Sequence, residues 1–258
     1  GGMGDDFANS VQQTTVGGYI VAGHIGSFEI GSYDFWLIKT NGDGEEQWNQ
    51  TFGESEFDST SSANSVQQTT DGGYILVGKD GADVWLIKTD DEGNEQWNQN
   101  FGGSGSAGAE SIQQTTDGGY ILAGISATDL WLIKTDDEGN EQWNRTFGGT
   151  GFDCCSSANS VQQTTDGGYI VAGHTSFLGM GSYDFWLIKT NGDGEEQWNQ
   201  TFGGSLYDYA ESVQQTTDGG YILAGWTASF GNGNYDVWLI KTDGDGEEQW
   251  NQTFGGSG

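Results

Sequence analysis

The sequence predicts an all-β fold, a five-bladed β-propeller with four antiparallel strands per blade, on three observations. First, the block SVQQTT begins at Ser10, Ser65, Ser160 and Ser212, with SIQQTT at Ser111, so successive copies lie 55, 46, 49 and 52 residues apart. Repeats of that length built from short strands are the signature of propeller blades. Second, each copy holds four segments, SVQQTT, GGYILAG, DxWLIKT and EQWNQTF, rich in β-branched and aromatic residues and divided by Gly and Asp. Third, GGYILAG and WLIKT are almost continuously apolar, as strands are when their sheet is covered on both faces. No helical period runs anywhere in the chain.

The turns follow from their residues. TTDGG joins the first two strands with Gly where a tight hairpin needs a positive φ, and TDDEGNEQ places Gly93 or Gly139 at the left-handed position of a four-residue loop. These two turns hardly vary between copies. The second connection and the link to the next copy do vary, and in an up-and-down sheet they emerge at the same end, so the variable loops share one face. One domain spanning 1–258 is expected, with blades at about 5–53, 54–103, 104–149, 150–204 and 205–256, a size that buries a sizeable core. An open solenoid would need atypical capping repeats at its ends. None is visible, so a closed ring is expected; it closes either by side-chain packing between blades 5 and 1 or by a shifted pairing in which one strand crosses over.

Composition narrows the function. Seven Lys and Arg stand against 38 Asp and Glu, a net charge of -31, so phosphate backbones and anionic membranes are repelled over most of the surface. The same field concentrates cations such as Ca²⁺ at the acidic turns. There are 46 Gly and no Pro, but an aromatic share of 13% marks a folding chain and not a linker. No apolar run approaches the length of a membrane helix. The two cysteines, Cys154 and Cys155, are adjacent and give neither a disulfide framework nor a zinc spacing. Their Cα atoms would be about 3.8 Å apart across a trans peptide, shorter than the usual disulfide span, so a vicinal disulfide there would be strained and easily reduced.

The order SVQQTTDGGYILAG, then Asp236-Val237-Trp238, then Trp250 resembles Kelch repeats, although the double glycine here precedes the second strand instead of following it. LIKTDDEGNEQW is similar to the Asp, Gly, Trp turn of quinoprotein-type (PQQ-like) propeller repeats, some of which carry a vicinal disulfide beside their cofactor. The whole chain more closely resembles the uncharacterised DGGYILAG/WLIKTD repeat proteins of archaeal and bacterial surfaces. The resemblance implies a propeller, an extracellular or cell-surface location, and, as a distant alternative, a redox enzyme.

Four fourth strands carry an N-x-T glycosylation pattern, at Asn49, Asn144, Asn199 and Asn251, which Asn98-Gln99-Asn100 breaks in the second copy. On the outer edge of a blade a glycan would be accessible and would block edge pairing. A β-sheet polar pair copied with the repeat explains the pattern equally well. Oxygen-bearing residues recur at i, i+2 and i+4 of the third turn, around Asp43, Asp90, Asp136, Asp193 and Asp243, which begins like a calcium loop. Gly falls at i+3 and the bidentate Glu is missing, so a plain acidic hairpin is expected, with no metal favoured. The single Lys ending each WLIKT is expected to pair with turn acids or to stack on the facing Trp. His24 and His174 occupy equivalent places and receive no catalytic role.

Loop length between the second and third strands is the most discriminating feature. Copies 1, 4 and 5 carry HIGSFEIGSYD, HTSFLGMGSYD and WTASFGNGNYD, against KDGAD and ISATD in copies 2 and 3. Phe28, Tyr33, Phe177, Tyr183, Trp226, Phe230 and Tyr235, near Asp34, Asp184 and Asp236, therefore form the candidate ligand-binding wall over blades 4, 5 and 1. Aromatic faces beside carboxylate acceptors suit a protein partner or a neutral sugar. The expectation is a non-catalytic binding or scaffold propeller without a cofactor. The alternatives are a lectin and a self-assembling structural subunit of a surface array.

Overall fold

The computed structural model describes residues 4–26, 32–53, 61–102, 105–148, 156–176 and 182–256. They form twenty strands in five four-stranded antiparallel sheets, with no helix among the described residues. Blade 1 holds β1 Asp6–Gln13, β2 Tyr19–Gly26, β3 Tyr33–Thr40 and β4 Glu46–Phe52; blade 2 holds β5 Ser61–Gln68, β6 Tyr74–Asp80, β7 Asp83–Thr89 and β8 Glu95–Phe101. Blade 3 holds β9 Ala107–Gln114, β10 Tyr120–Ser126, β11 Asp129–Thr135 and β12 Glu141–Phe147. Blade 4 holds β13 Ser157–Gln163, β14 Tyr169–Thr175, β15 Asp184–Thr190 and β16 Glu196–Phe202, and blade 5 holds β17 Asp208–Gln215, β18 Tyr221–Thr227, β19 Asp236–Thr242 and β20 Glu248–Phe254. In every sheet the order in space is the order in sequence. The chain therefore has the five-bladed β-propeller architecture that its repeats predict. It divides into two compact units, Gly1–Leu122 with Thr135–Glu141, and Ala123–Lys134 with Gln142–Gly258.

The double glycine serves two needs. Gly72 takes φ 94° in the turn. Gly73 has an ordinary φ but no room, because a Cβ there would lie 2.1 Å from Thr89 O and 2.7 Å from Lys88 Nζ. That approach seats the lysine. Lys88 Nζ lies 2.9 Å from Asp71 Oδ2 and donates to Thr89 O at 2.8 Å and Gln96 Oε1 at 3.1 Å. Lys189–Asp166 at 2.9 Å and Lys241–Asp218 at 3.0 Å repeat it. The acid partner is thus the Asp of the TTDGG turn, brought to the lysine because the first and third turns share one end of the sheet. Burial works to raise the Asp166 carboxyl, but hydrogen bonds from Thr164, Lys189 and the Gly168 amide prevail and hold it down at about 2.

The first strands join neighbouring blades. In the first unit, Gln12 Oε1 accepts the Gln68 amide at 2.5 Å and Ser10 Oγ the Val66 amide at 3.2 Å. Gln67 and Ser65 do the same for Gln114 and Ile112 at 2.6 and 3.3 Å. In the second unit, Gln162 and Ser160 accept Gln215 and Val213 at 2.6 and 3.2 Å. Behind this ladder Ile20, Ala22, Phe35, Leu37 and Phe52 of blade 1 pack on Ala63, Val66, Tyr74, Leu76 and Ile87 of blade 2, and blade 4 packs likewise on blade 5. The fourth-strand Trp completes each joint. Trp48, Trp97 and Trp198 meet Tyr74, Tyr120 and Tyr221 of the following blade at 5.8, 5.9 and 5.8 Å. The same three indoles cover Gly93, Gly139 and Gly246, where any Cβ would fall within 2.7 Å of the ring.

Blade 1 alone has Val16 where the other copies carry the turn Asp. There Thr14 Oγ1 is buried without a partner, and Lys39, whose pKa burial lowers, donates to Thr40 O and Gln47 Oε1 at 2.7 and 3.3 Å. In blade 2 the Asp71 carboxylate accepts from Thr69 Oγ1, the Gly73 amide and Lys88 together. Val16 is 81% exposed, so replacing it removes no core contact. Val16→Asp is expected to stabilise the chain by about 1–2 kcal/mol, since a charge-assisted set satisfies an orphaned hydroxyl. A chemical-denaturation midpoint that rises in Val16→Asp and falls back in Val16→Asp/Lys39→Met is the check.

Candidate functional site

The connections that vary between repeats meet at one end of each blade. The Ala107 amide donates to Ala82 O at 2.7 Å, Ser156 to Thr128 O at 2.8 Å, and Asp208 to Tyr183 O at 2.7 Å, tying each inter-blade link to the preceding β2–β3-type hairpin. In blade 5 a buried carboxylate organises this end. Asp208 is 0% exposed and accepts from Thr227 Oγ1, from Ser229 Oγ at 2.7 Å and from the Gly204 amide at 2.9 Å. Leu206 N donates to Ser229 Oγ at 3.0 Å and Ala228 N to Tyr207 O at 2.8 Å. The blade 5 loop is thereby pinned to the link that precedes it.

On this base stands a contiguous aromatic cluster of blades 4 and 5. Tyr209 and Trp226 stack at 4.4 Å with planes 21° apart, and Trp226 meets Tyr235 edge-on at 4.9 Å. Tyr209 also lies 4.4 Å from His174 and 5.2 Å from Tyr183, and Tyr183 lies 5.7 Å from Tyr207. Phe230 packs at 5.1 Å from Trp238. The outer members are open to solvent, Tyr235 at 65%, Leu206 at 51%, and Tyr207 and Phe230 at 43% each. Tyr183, Trp226, Phe230 and Tyr235 were singled out by loop length. Tyr209, which joins them, was not, because it lies inside a first strand; the signal was that this position is Phe7, Ser62, Gly108, Ser157 and Tyr209 in the five copies.

Blade 1 carries a smaller counterpart. His24 lies 4.9 Å from Phe7 and 5.0 Å from Tyr33, with Nδ1 3.1 Å from Ser62 Oγ. His174 has Tyr209 in place of that serine, and its Nδ1 is buried without a partner. Burial pushes its pKa down to about 4, so it stays neutral at physiological pH. Phe28, Phe177, Cys154 and Cys155 lie outside the described residues.

The carboxylates expected as ligand acceptors have structural positions. Asp34, Asp184 and Asp236 lie against Gly53, Gly203 and Gly255, the glycines ending TFG, and Asp83 and Asp129 of the short-loop blades lie the same way on Gly102 and Gly148. Asp236 accepts the Asn232 amide at 2.8 Å. Burial raises the Asp184 pKa, and the nearby Asp208 charge raises it further; burial and Asp80 do the same to Asp34.

The fourth-strand asparagines also serve the sheet. Asn49 accepts from Trp36 Nε1 at 3.3 Å and donates to Glu46 at 2.7 Å; Asn199 and Asn251 repeat the bridge, and Asn144 accepts from Trp131 at 3.3 Å. Asn98, which has no Thr two residues on, makes the same bridge to Trp85 and Glu95. The Asn is therefore accounted for without a glycan. In the acidic turns the leading side chain caps the hairpin: Asp90 Oδ1 accepts the Glu92 and Asn94 amides at 3.0 and 2.8 Å, with equivalent caps at Asn41, Asp136, Asn191 and Asp243. Among the described residues no group of three or more His, Cys, Asp or Glu is placed to hold a metal ion.

Two grooves repeat between successive fourth strands of the second unit. One of ≈ 430 Å³ is lined by Thr146, Gly148, Trp186, Glu196, Asn199 and Thr201; the other, ≈ 370 Å³, by the matching Thr201, Gly203, Trp238, Glu248, Asn251 and Thr253, with Phe230 at its rim.

No family model matches the chain, and no curated protein matches it. Solved structures do. A protein of unknown function from Bacteroides caccae is 14% identical with a TM-score of 0.63, over 96% of this chain and 82% of its own. The periplasmic gluconolactonase PpgL of Pseudomonas aeruginosa is 10% identical with a TM-score of 0.64, over 95% and 69%. Sqt1 from Chaetomium thermophilum is 12% identical with a TM-score of 0.54, over 95% and 71%. At these identities the likeness concerns the fold.

The raised Asp184 carboxyl yields a signed prediction. An aspartate whose folded pKa lies above its unfolded value costs stability when ionised, and the cost is relieved as pH falls through the raised value. Asp184→Asn is expected to raise the melting temperature at pH 7, with the two proteins converging as the pH falls into the carboxylate range. Melting curves from pH 7 to pH 4 check this, and a variant that melts lower than the parent at pH 7 contradicts it.

Proposed function

We propose that the chain is a non-catalytic binding and scaffold module acting outside the cell, and that it takes a protein partner on the variable-loop end of blades 4 and 5. The observation that carries this reading is the stacked cluster through Tyr209, Trp226 and Tyr235. It is assembled from the positions at which otherwise near-identical repeats differ. Large, rigid aromatic side chains with a polar edge contribute binding area at little entropic cost. The Asp208 network and the short strand ends hold them in place before a partner arrives. Propellers of this general shape include a peptide binder, since Sqt1 has been solved bound to the N-terminus of the ribosomal protein L10. The acidic surface favours a partner with basic or neutral character.

A lectin is the second reading, supported by the two grooves whose Asn, Thr and Glu side chains offer amide, hydroxyl and carboxylate groups to a neutral sugar.

Selection of a phage-displayed random peptide library on the immobilised chain separates the two. Peptides enriched on the parent are expected to bind Phe230→Ala/Tyr235→Ala at least about tenfold more weakly, a loss of ~1.4 kcal/mol. The melting temperature should change little, because Tyr235 is 65% and Phe230 43% exposed. Equal binding to parent and variant would overturn the protein-partner reading. A saturable glycan-array signal lost on Thr253→Val, without peptide enrichment, would replace it with the lectin.

A further inference from the structure

Residues 40–53, 190–203 and 242–255 are identical except that Asp243 stands where the first two stretches have Asn41 and Asn191. Both asparagines are followed by Gly. In an Asn-Gly pair the Gly nitrogen carries no neighbouring side chain to keep it from the Asn side-chain carbonyl. Asn191 Oδ1 accepts the Asp193 and Glu195 amides at 3.0 and 2.9 Å, and Asn191 Nδ2 donates to Glu195 Oε2 at 2.9 Å. Two amide donors polarise that carbonyl and are placed to hold the negative charge that forms on Oδ1 when a nucleophile adds to Cγ. Gly192, Asp193 and Glu195 are exposed, so water reaches the turn. Asn41 repeats the three bonds at 3.0, 2.9 and 2.9 Å.

Blade 5 shows the same turn with an aspartate in place. Asp243 Oδ1 accepts the Asp245 and Glu247 amides at 3.0 and 2.9 Å, as Asn191 Oδ1 does in its own turn. The main chain agrees too: Asn191 N donates to Glu195 O at 2.9 Å and Gly194 N to Asn191 O at 3.1 Å, against 3.0 and 3.3 Å at Asp243. What differs is the glutamate. Glu195 takes the Asn191 amide, whereas Glu247, with a carboxylate beside it, accepts from Gln200 Nε2 of the preceding blade at 3.2 Å. The residue of β12 that corresponds to Gln200 is Arg145. Arg145 lies over the Trp143 ring at 5.6 Å, and that ring covers Gly194, next to Glu195. Arg145, Trp143 and the turns of blades 4 and 5 all belong to the second compact unit.

We propose that Asn191 and Asn41 are sites of spontaneous deamidation, and that the turn steers the product to aspartate, the form that blade 5 carries. The Gly192 nitrogen adds to Asn191 Cγ and gives its proton to solvent; the Cγ–Nδ2 bond breaks, ammonia leaves and a cyclic imide closes. Water then opens the ring at Cγ and leaves a carboxylate, so the balance is asparagine plus water to aspartate plus ammonia. Opening at the main-chain carbonyl gives isoaspartate instead, which adds a methylene to the backbone and displaces the Asn191 O that accepts the Gly194 amide. Either product re-closes to the imide, so the one that keeps the cap accumulates. The new carboxylate repels Glu195, which turns to the Arg145 guanidinium and exchanges a bond inside the turn for an ion pair between β12 and blade 4. The inference is independent of the partner proposed for the loops.

Mass spectrometry of the full chain, incubated at mildly alkaline pH in heavy-oxygen water and then digested, tests this. Asn191 is expected to lose its amide and gain heavy oxygen, with aspartate exceeding isoaspartate. A free peptide of residues 186–204 is expected to give more isoaspartate than aspartate. Asn232, also followed by Gly but with no side-chain hydrogen bond among the described residues, should give the peptide's mixture. Retention of the Asn191 amide over a period in which the peptide converts would overturn the proposal, as would a product mixture at 191 no different from that of the peptide. The ion pair is read from melting temperatures. Asn191→Asp should melt close to the parent, and Arg145→Gln should lower the melting temperature of Asn191→Asp by more than it lowers that of the parent. An Asn191→Asp chain that melts well below the parent, or an equal effect of Arg145→Gln in the two backgrounds, would contradict the rearrangement.

Discussion

Each blade is a four-stranded sheet with apolar side chains on both faces, and a sheet of that kind is stable only when another covers it. The joint between blades is therefore the interaction on which the rest depends. It combines burial of aliphatic and aromatic area with an indole that meets Tyr edge-on and closes over a Gly in the next third turn. That glycine is doubly determined at Gly93, by a φ of 84° and by Trp48 above it. The Ser and Gln of each first strand add hydrogen bonds that leave backbone amides of the following blade paired. A change in any one of these residues would leave its neighbour's partner unmatched, which explains why the repeats agree so closely in residues far apart along the chain.

The constancy of this frame leaves one end of each blade free to differ. The tight hairpins of blades 2 and 3 and the longer blade 5 loop sit on near-identical strands. Blade 5 adds a buried aspartate and a stack of rings without disturbing the register beneath. Its exposed rings are side chains that the joint does not require. The variable end and the frame are thus built from different residues; Trp238 touches both, its ring packing on Phe185 and Phe230 while its Nε1 bonds Asn251.

Most of the fold was legible from the repeat, because every strand carries its own pattern and every hairpin its own Gly. What escaped depended on elements brought together from a distance. The second Gly of each pair looked like turn chemistry, but Gly73 is required by Thr89 and Lys88 of the third strand. Lys88 was expected to meet a turn acid, and it does; that this acid is Asp71 follows from two turns sharing an end. The Asn pattern of the fourth strands fitted a glycan acceptor and a sheet polar pair equally well; what only the structure adds is that Asn98, with no Thr two residues on, makes the same bridge to Trp85 and Glu95. Tyr209 was missed because strand residues were read as frame.

The claim that the joint between blades holds the structure together is tested most directly by comparing Trp48→Ala with Tyr235→Ala. Trp48 closes on Tyr74 and Gly93, so its truncation is expected to cost about 3 kcal/mol of unfolding free energy. Tyr235, 65% exposed on the variable end, is expected to cost about 0.5 kcal/mol or less, as at a surface site. Equal losses at the two positions would contradict the account.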